Sequence, residues 1–417
     1  MATINFANFN AALQKVIMPA IQQQLYEKAP LWQVFRGWNA ETDIASKVNV
    51  NGVTFQNTNI FVPIKTSRSN GVVSIGTGNN LINGVPQLDQ GSIGITTATG
   101  SFALPKQLVN VNSPAGSVVN AVQFYSDDLS ASMAMDLNRQ CYSDGTATIG
   151  TAVGVVSAAT SGSLVLTASL NGDIDYTRYM PPGTLFTLNN AALAAGTVAT
   201  NILTVTAVTG VNTINWTSTA AVTTSAGAAV QKLDGSYAVA TEISGLNAII
   251  SPSSTYMGIN PTVDTTWKPG YFDNNSGTPK AFSMPDLNKA FIRANATGAI
   301  KLLIANATEF EKYAETLVGL LRFQKKEVLS GGWMGVDYMG GNATVLLDYD
   351  CPDDHWYLLS PDFMFQAEFQ KFEFEKGTDG NLLRIAGSLN YEVACSWMGN
   401  VLTNKRSAFG ALANRQS

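Results

Sequence analysis

Residues 113–145 read SPAGSVVNAVQFYSDDLSASMAMDLNRQCYSDG. Ser113 is a good N-cap, because its hydroxyl can accept from N–H groups that the first turn of a helix leaves unpaired. Pro114 suits the first helical position. Val118, Val122, Tyr125, Leu129, Met133 and Leu137 recur at helical spacing and make one stripe. Gly145 supplies the stop. The spacing predicts a single helix of about 30 residues, roughly 45 Å long at 1.5 Å per residue. A Met and aromatic stripe of this kind is read as core.

Upstream of that helix the period changes. Val53 and Phe55, then Ile60, Val62 and Ile64, alternate with polar positions and read as strand. GVVSIGTGNNLINGVPQLDQGSIGI follows at 71–95, with Asp89 its one charge. GSFALP (100–105) reads as a returning strand, so 60–105 is expected to form a long hairpin with a Gly- and Asn-rich tip. GTGNN is no phosphate loop, since no Lys-Ser or Lys-Thr follows it and no helix pattern starts there. The apolar residues of 71–95 are interleaved with Gly, Ser and Asn, as on a surface covered from one side. Long ribbon edges are normally guarded by charge or Pro, and little guards these. Another chain is therefore expected to cover the ribbon, with Val73, Ile75, Asn80, Leu81, Ile82, Val85 and Leu88 as candidate inter-subunit contacts. Replacing Asn70 to Ser92 by a short turn is expected to spare the subunit and abolish assembly. Further upstream, Phe9, Leu13, Val16, Ile17, Ile21 and Leu25 have helical spacing, interrupted by Pro19.

Downstream, composition shifts at about residue 146. Between Arg178 and Lys232 there is no charged residue. GSLVLTASL, GTLFTLN, NILTVTAV and NTINWTS read as short strands between Gly and Asn turns, an independent small β module. From 233 the charged, helix-bearing chain resumes. Ser283 is expected to cap a helix carrying Leu287, Ala290, Phe291 and Ala294. AIKLLIAN (299–306) reads as a buried strand, and Thr308 with Glu311 reads as the capping box of the next helix. GVDYMGGNATVLLDYD reads as a hairpin around Gly340-Gly341. LLRIAGSLNYEVAC alternates as one strand, with Leu383, Ile385, Leu389, Tyr391 and Val393 on one face.

Charged residues make up 13% of the 417, against a usual figure of about 25%. Hydrophobic content is ordinary at 45%, so the chain folds. Low charge on a large folded chain points to surface buried against something else. The net charge of −5 lacks the clustered Lys and Arg that tight nucleic-acid binding needs. Cys141, Cys351 and Cys395 are far apart and odd in number, which argues against a disulfide framework and fits a reducing cytoplasm. MATINFANFN carries no secretory pattern, and no run of 18 apolar residues suggests a membrane span. His355 is the one histidine, which excludes multi-His metal sites. Asp348, Asp350, Asp353 and Asp354 lack the order of a calcium loop. No catalytic, cofactor-binding or metal site is expected, and no cofactor.

The order of parts carries a resemblance. EISGLNAIISPSSTYMGINPTVDTTWKPGYF (242–272) is similar to the Glu-x-x-Gly-Leu segment, Gly-Ile turn and later Trp of tailed-bacteriophage major capsid proteins, the HK-ninety-seven-like fold. KLLIAN with its following helix, and GWMGVDYMGGNATVLLDYDCPDDHWYLLSPD, resemble the rest of that fold's axial domain. The resemblance covers about 1–145 and 233–417. It implies an α+β fold with an N-terminal arm (1–50) and an extended β-hairpin loop (51–108). A spine helix of the peripheral domain (109–149) follows, then an inserted small all-β domain (150–232). Residues 233–378 would be the axial domain with part of the peripheral domain, and 379–417 the C-terminal peripheral-domain strand and tail.

The resemblance also implies a function. Hexamers and pentamers of the chain would tile an icosahedral head enclosing double-stranded DNA, touched non-specifically, in a virion assembled in the host bacterial cytoplasm. Partners would be a portal, a separate scaffolding protein and a decoration protein, with no membrane. Encapsulin shells share the fold, and a secreted β-rich adhesin or tail protein is the alternative of another class. Some family members join a ribbon Lys to a neighbour's Asn, assisted by a buried Glu. Lys65 and Lys106 lie at the ribbon base, and Asn390 and Glu392 share a strand face. These are read as plain surface residues, with no cross-link expected.

Overall fold

The computed structural model describes residues 29–38, 54–56, 58–67, 69, 71–72, 84–105, 116–167, 179–189, 202–210, 212–224, 226–273, 280–318, 326–328, 334–338, 343–352, 355–375, 383–384 and 390–413. The apolar-spaced segment 9–25 lies outside them. The first described helix, α1 (Pro30–Trp38), buries Leu31, Trp32 and Phe35 in the main core. The Trp32 ring meets Trp397 edge-on, with centroids 4.9 Å apart.

Three strands follow as one antiparallel sheet: β1 (Thr54–Gln56), β2 (Asn59–Lys65) and β3 (Leu88–Gly94). The period-two reading holds, since Ile60, Val62 and Ile64 are fully buried while Asn59, Pro63 and Lys65 face out. The expected return strand does not. The chain turns at Ile95, whose N–H donates to Thr58 O at 2.9 Å, and β4 (Thr96–Pro105) leaves the ribbon. It pairs instead with Asn390–Thr403 over ten positions, Thr96 opposite Gly399 and Pro105 opposite Asn390. Stretch 88–94 already fills the edge of β2, and the long C-terminal strand offers β4 an edge of matching length.

Helix α2 spans Gly116–Tyr142, 27 residues, with Ser113 and Pro114 outside the described residues. Met133, Ala134, Leu137 and Cys141 are buried, whereas Tyr125 is 43% exposed and Leu129 half-buried. The stripe is core along its C-terminal half. Gly145 provides the stop as expected, at φ +89°, where a side chain would strain the backbone.

The uncharged module is a closed six-stranded barrel. Its strands are β5 (Thr148–Ala152), β6 (Val156–Thr167), β7 (Leu185–Asn189), β8 (Leu203–Gly210), β9 (Thr213–Thr224) and β10 (Ala229–Lys232). They run β10-β5-β6-β9-β8-β7, and β10 closes the ring by pairing with β7. Ile149, Leu164, Leu166, Phe186, Leu203, Val205, Ile214, Trp216 and Val230 form a separate core inside it.

The chain then builds a seven-stranded sheet. In chain order its parts are α3 (Leu246–Ile250), β11 (Gly270–Asp273), α4 (Met284–Asn295), β12 (Leu302–Ala305), α5 (Ala307–Val318), β13 (Lys326–Val328), β14 (Met334–Tyr338), β15 (Ala343–Leu347) and β16 (Trp356–Leu359). Next come β17 (Met364–Phe374), β18 (Leu383–Arg384), β19 (Asn390–Thr403) and β20 (Gly410–Ala413). The large sheet runs β11-β20-β16-β12-β15-β14-β13, while β17, β18 and β4 flank β19 in the other. Leu287, Ala290, Phe291 and Ala294 of α4 pack on Leu303, Leu358 and Leu412, as the helical spacing predicts. β12 is buried throughout, and β14 and β15 pair as the expected hairpin.

Three local readings need correction. Ser283 stands at the α4 N-cap but makes no side-chain capping bond. The cap of α5 is Asn306, whose Oδ1 accepts the Glu309 N–H at 2.9 Å. The chain leaves β12 straight into the helix there, so Thr308 falls inside it. Residues 383–395 are two strands, with Leu383 opposite Glu392 and Arg384 opposite Tyr391. Directly opposed residues share a face, so this register puts Leu383 with Glu392 and Arg384 with Tyr391, and the face expected to hold Leu383 with Tyr391 and Val393 does not carry across the pair.

Candidate intersubunit surface

The ribbon is rooted where its glycine meets the body. Gly91 lies opposite Val62, and a Cβ there would stand 2.5 Å from Ile64 Cδ1 and 3.1 Å from Met257 Cε. Only a bare backbone lets β3 come this close. The Ser92 N–H then donates to Met257 O at 3.1 Å. Ile93 and Ile95 pack against the main core, so this end belongs to the body.

Beyond the Lys65–Leu88 pair the described contacts become few. Thr66 N–H donates to Gln87 O at 3.1 Å, Gln87 N–H to Ser67 Oγ at 3.4 Å, and the Thr266 hydroxyl to Thr66 O. Past these contacts Val72 and Val85 are 91% and 78% exposed, and Leu88, opposite Lys65, is 72% exposed. Val85 and Leu88 of the candidate contacts are thus exposed apolar side chains on the ribbon. Val73, Ile75, Asn80, Leu81 and Ile82 lie outside the described residues. A second open edge belongs to β4, which among the described residues pairs with β19 alone. It borders an open groove of about 1020 Å³ shared with α2 and the barrel. Lys65 is exposed on β2, Asn390 and Glu392 sit in β19 of a different sheet, and Lys106 lies outside the described residues.

The buried polar groups do structural work. Arg139 on α2 pairs with Glu242, Nη1 standing 3.0 Å from Oε2, and reaches Asp136 at 3.1 Å. Lys232 at the end of the barrel joins the same Asp136 at 2.6 Å. Burial disfavours the Asp136 anion, but the Lys232 and Arg139 cations outweigh it and hold the carboxyl well below the usual range. Arg406 gives its guanidinium to four carbonyls, those of Ala248, Ile249, Ser251 and Ser254, and so closes the C-terminal end of α3.

Cys141, Cys351 and Cys395 are buried. Burial, then Asp348 and Asp350, pushes the Cys141 thiol up, and burial pushes Cys395 up to about 11. Neither is a ready thiolate. His355 stacks on Tyr357 at 5.6 Å. Among the described residues, no three His, Cys, Asp or Glu side chains gather to hold a metal ion, and no helix is long and apolar enough to cross a membrane. Asp353 and Asp354 lie outside the described residues. Sequence reasoning missed that Asp348 and Asp350 are buried on α2. The available signal was Asn138 and Tyr142, polar groups four residues apart beside the apolar stripe.

No family model and no curated protein matches the sequence. Among solved structures, a chain of the cyanophage A-1(L) capsid asymmetric unit is 14% identical, with a TM-score of 0.50, and the match covers 88% of this chain and 91% of that one. The capsid of a native GTA particle is 10% identical over 90% of this chain and 91% of that one, with a TM-score of 0.39. An encapsulin complex from Synechococcus elongatus is 13% identical, covering 35% of this chain and 53% of that one, with a TM-score of 0.28. The cyanophage match covers most of both chains, and the chain has the fold of a bacteriophage capsid protein.

Proposed function

We propose that this chain is the major capsid protein of a tailed bacteriophage, of the HK-ninety-seven-like kind, with a structural and not an enzymatic role. The fold shared with the cyanophage capsid chain carries the reading. On it, copies join as hexamers and pentamers into an icosahedral head around double-stranded DNA, assembled in the host cytoplasm with a portal, a scaffolding protein and a decoration protein. The barrel is a surface insertion between the spine helix and the axial domain. The ribbon lies on a neighbouring copy, and its exposed Val72, Val85 and Leu88 are the part that the neighbour covers. Each contact is weak alone. At about 25 cal/mol per Å² of apolar area, it supplies a few kcal/mol per subunit after ordering costs. Closure of a symmetric shell then makes many identical contacts act together.

Negative-stain imaging of the purified chain, alone and co-expressed with its scaffold, tests this. Rings of five or six, or closed shells, are expected; a monodisperse monomer or a fibre in both conditions refutes it. Nuclease treatment of particles from infected cells separates a head from an enzyme-holding compartment, since packaged DNA survives only in the former.

A further inference from the structure

Asp348 and Asp350 sit on the turn after β15, and both are buried. One amide nitrogen serves the two. Asn138 Nδ2 donates to Asp348 Oδ1 at 3.0 Å and Oδ2 at 3.1 Å, and to Asp350 Oδ2 at 2.6 Å. The Asp350 N–H donates to Asp348 Oδ1 at 3.0 Å, and the Tyr142 hydroxyl to Asp348 Oδ2 at 2.7 Å. The Tyr179 hydroxyl reaches Asp350 Oδ1.

These donors come from different parts of the molecule. Asn138 and Tyr142 stand one turn apart on α2. Tyr179 belongs to the barrel core. The other end of the Asn138 amide, Oδ1, accepts the backbone N–H of Leu31 at 3.1 Å and of Trp32 at 3.5 Å. Those are first-turn donors of α1, which have no partner inside their own helix. The two carboxyls therefore stand where α1, α2, the barrel and the large sheet meet.

The titratable groups facing Asp348 among the described residues are Asp350 and Cys351 on its own turn, Cys141 and Tyr142 on α2, and Tyr179 from the barrel. All are acids. Arg139, 5.8 Å from the Tyr179 ring centroid, is engaged with Glu242 and Asp136. Burial, then the charge of Asp350, raises the Asp348 carboxyl from 3.8 to about 7, against the pull of its hydrogen bonds. Two buried like charges so close cannot both ionise cheaply.

We propose that this junction is a pH-sensitive clamp: with a proton on Asp348 it holds α1 and the barrel to α2 and the sheet, and when that proton passes to water the junction takes up solvent and α1 loosens. The direction follows from linkage. A carboxyl raised in the folded state contributes stability that is full below about pH 4 and is lost as pH rises to about 7. Asp136, held low, works the other way and loses its contribution only in acid, so the two windows are separate. This inference concerns the subunit itself and stands apart from what the subunit assembles into.

Hydrogen exchange on the full chain, from about pH 5.5 to about pH 8.5 and corrected for intrinsic exchange, tests it. Protection of Leu31–Phe35 should fall about tenfold or more between about pH 5.5 and about pH 7 and level off above that. Asp348→Asn, a neutral isostere, should keep that protection flat. A flat profile in the unaltered protein, or the same fall in the variant, overturns the clamp. Infrared spectroscopy of the unaltered protein decides the matter even if the variant fails to fold. A buried protonated carboxyl band should vanish with a midpoint near neutrality, and its absence throughout the range refutes the proposal. Tyr142→Phe removes a donor that favours the anion, so it should move the midpoint upward; a downward or absent shift counts against the assignment.

Discussion

The barrel and the ribbon are written in the same chemistry and end in opposite states. Both mix aliphatic residues with Gly, Ser and Asn, and both nearly lack charge. The barrel closes on itself, because β10 finds β5 on one side and β7 on the other, and its apolar residues turn inward onto Trp216 and Phe186. Among the described residues the ribbon's pairing reaches Thr66 and Gln87, and its Val72, Val85 and Leu88 are exposed to solvent. Low charge alone is therefore a poor sign of an intersubunit surface. What separates the two regions is whether backbone edges and apolar faces are satisfied within the chain.

Excising the ribbon should give the largest effect. The cut suggested by sequence, Asn70 to Ser92, goes too far, since it removes β3 strand that lies on Ile64 and Met257. Joining Ser67 to Gln87 through an Asn-Gly turn keeps β2 and β3 paired. Thermal unfolding of the isolated subunit should stay nearly unchanged, while sedimentation should find no shells. Normal assembly of this variant removes the ribbon from the interface. Loss of the folded subunit makes it part of the body.

The barrel should respond in reverse. Trp216→Ala empties a fully buried site and should cost about 3–5 kcal/mol. The Trp216 indole N–H has no partner among the described residues, so Trp216→Phe should cost about 1.5 kcal/mol or less. Because this core is separate from the main one, proteolysis should nick the barrel of Trp216→Ala and leave the body intact. Simultaneous loss of both units makes them one cooperative unit.

The barrel is tethered to α2. Lys232, 18% exposed, meets Asp136, 31% exposed, at 2.6 Å. Partial exposure screens such a pair, so Lys232→Met should cost about 1 kcal/mol. Asp136 loses its stabilising anion only as pH falls below the ordinary carboxylate range, so the difference between variant and parent should shrink in acid. A difference that holds constant down to about pH 2 would show that the ion pair contributes nothing.

How far this was legible follows from the same logic. Short periods within one segment could be read: the alternation of Ile60, Val62 and Ile64, the α4 face, the Gly145 stop and the strand-turn rhythm of the barrel. Pairing between distant segments could not, because alternation names a face and not a partner. Thus 100–105 was assigned to β2 while its edge partner lies some 290 residues on, at Asn390–Cys395. Thr308 with Glu311 has capping-box spacing, and nothing in that spacing tells that the helix begins two residues earlier, where β12 ends and Asn306 caps it. The Asp348–Asp350 junction escaped for the same reason. Acidic residues near a turn read as solvated until α2, α1 and Tyr179 are known to enclose them.

The smallest effect on the subunit, and the sharpest for the comparison, is a single polar change on the ribbon. Val85 is 78% exposed, so Val85→Ser removes almost no contact from the isolated chain and should change its stability by less than about 0.5 kcal/mol. A solvent-facing barrel valine of similar exposure, Val155 at 67%, is the control. If only the ribbon is covered on assembly, Val85→Ser should weaken shell formation by about 1 kcal/mol per contact, multiplied around the closed particle. Val155→Ser should leave it unchanged. Both are read as the concentration at which shells appear in light scattering. Equal effects would mean that the barrel face is covered as well, and no effect from either would mean that Val85 stays exposed in the assembly.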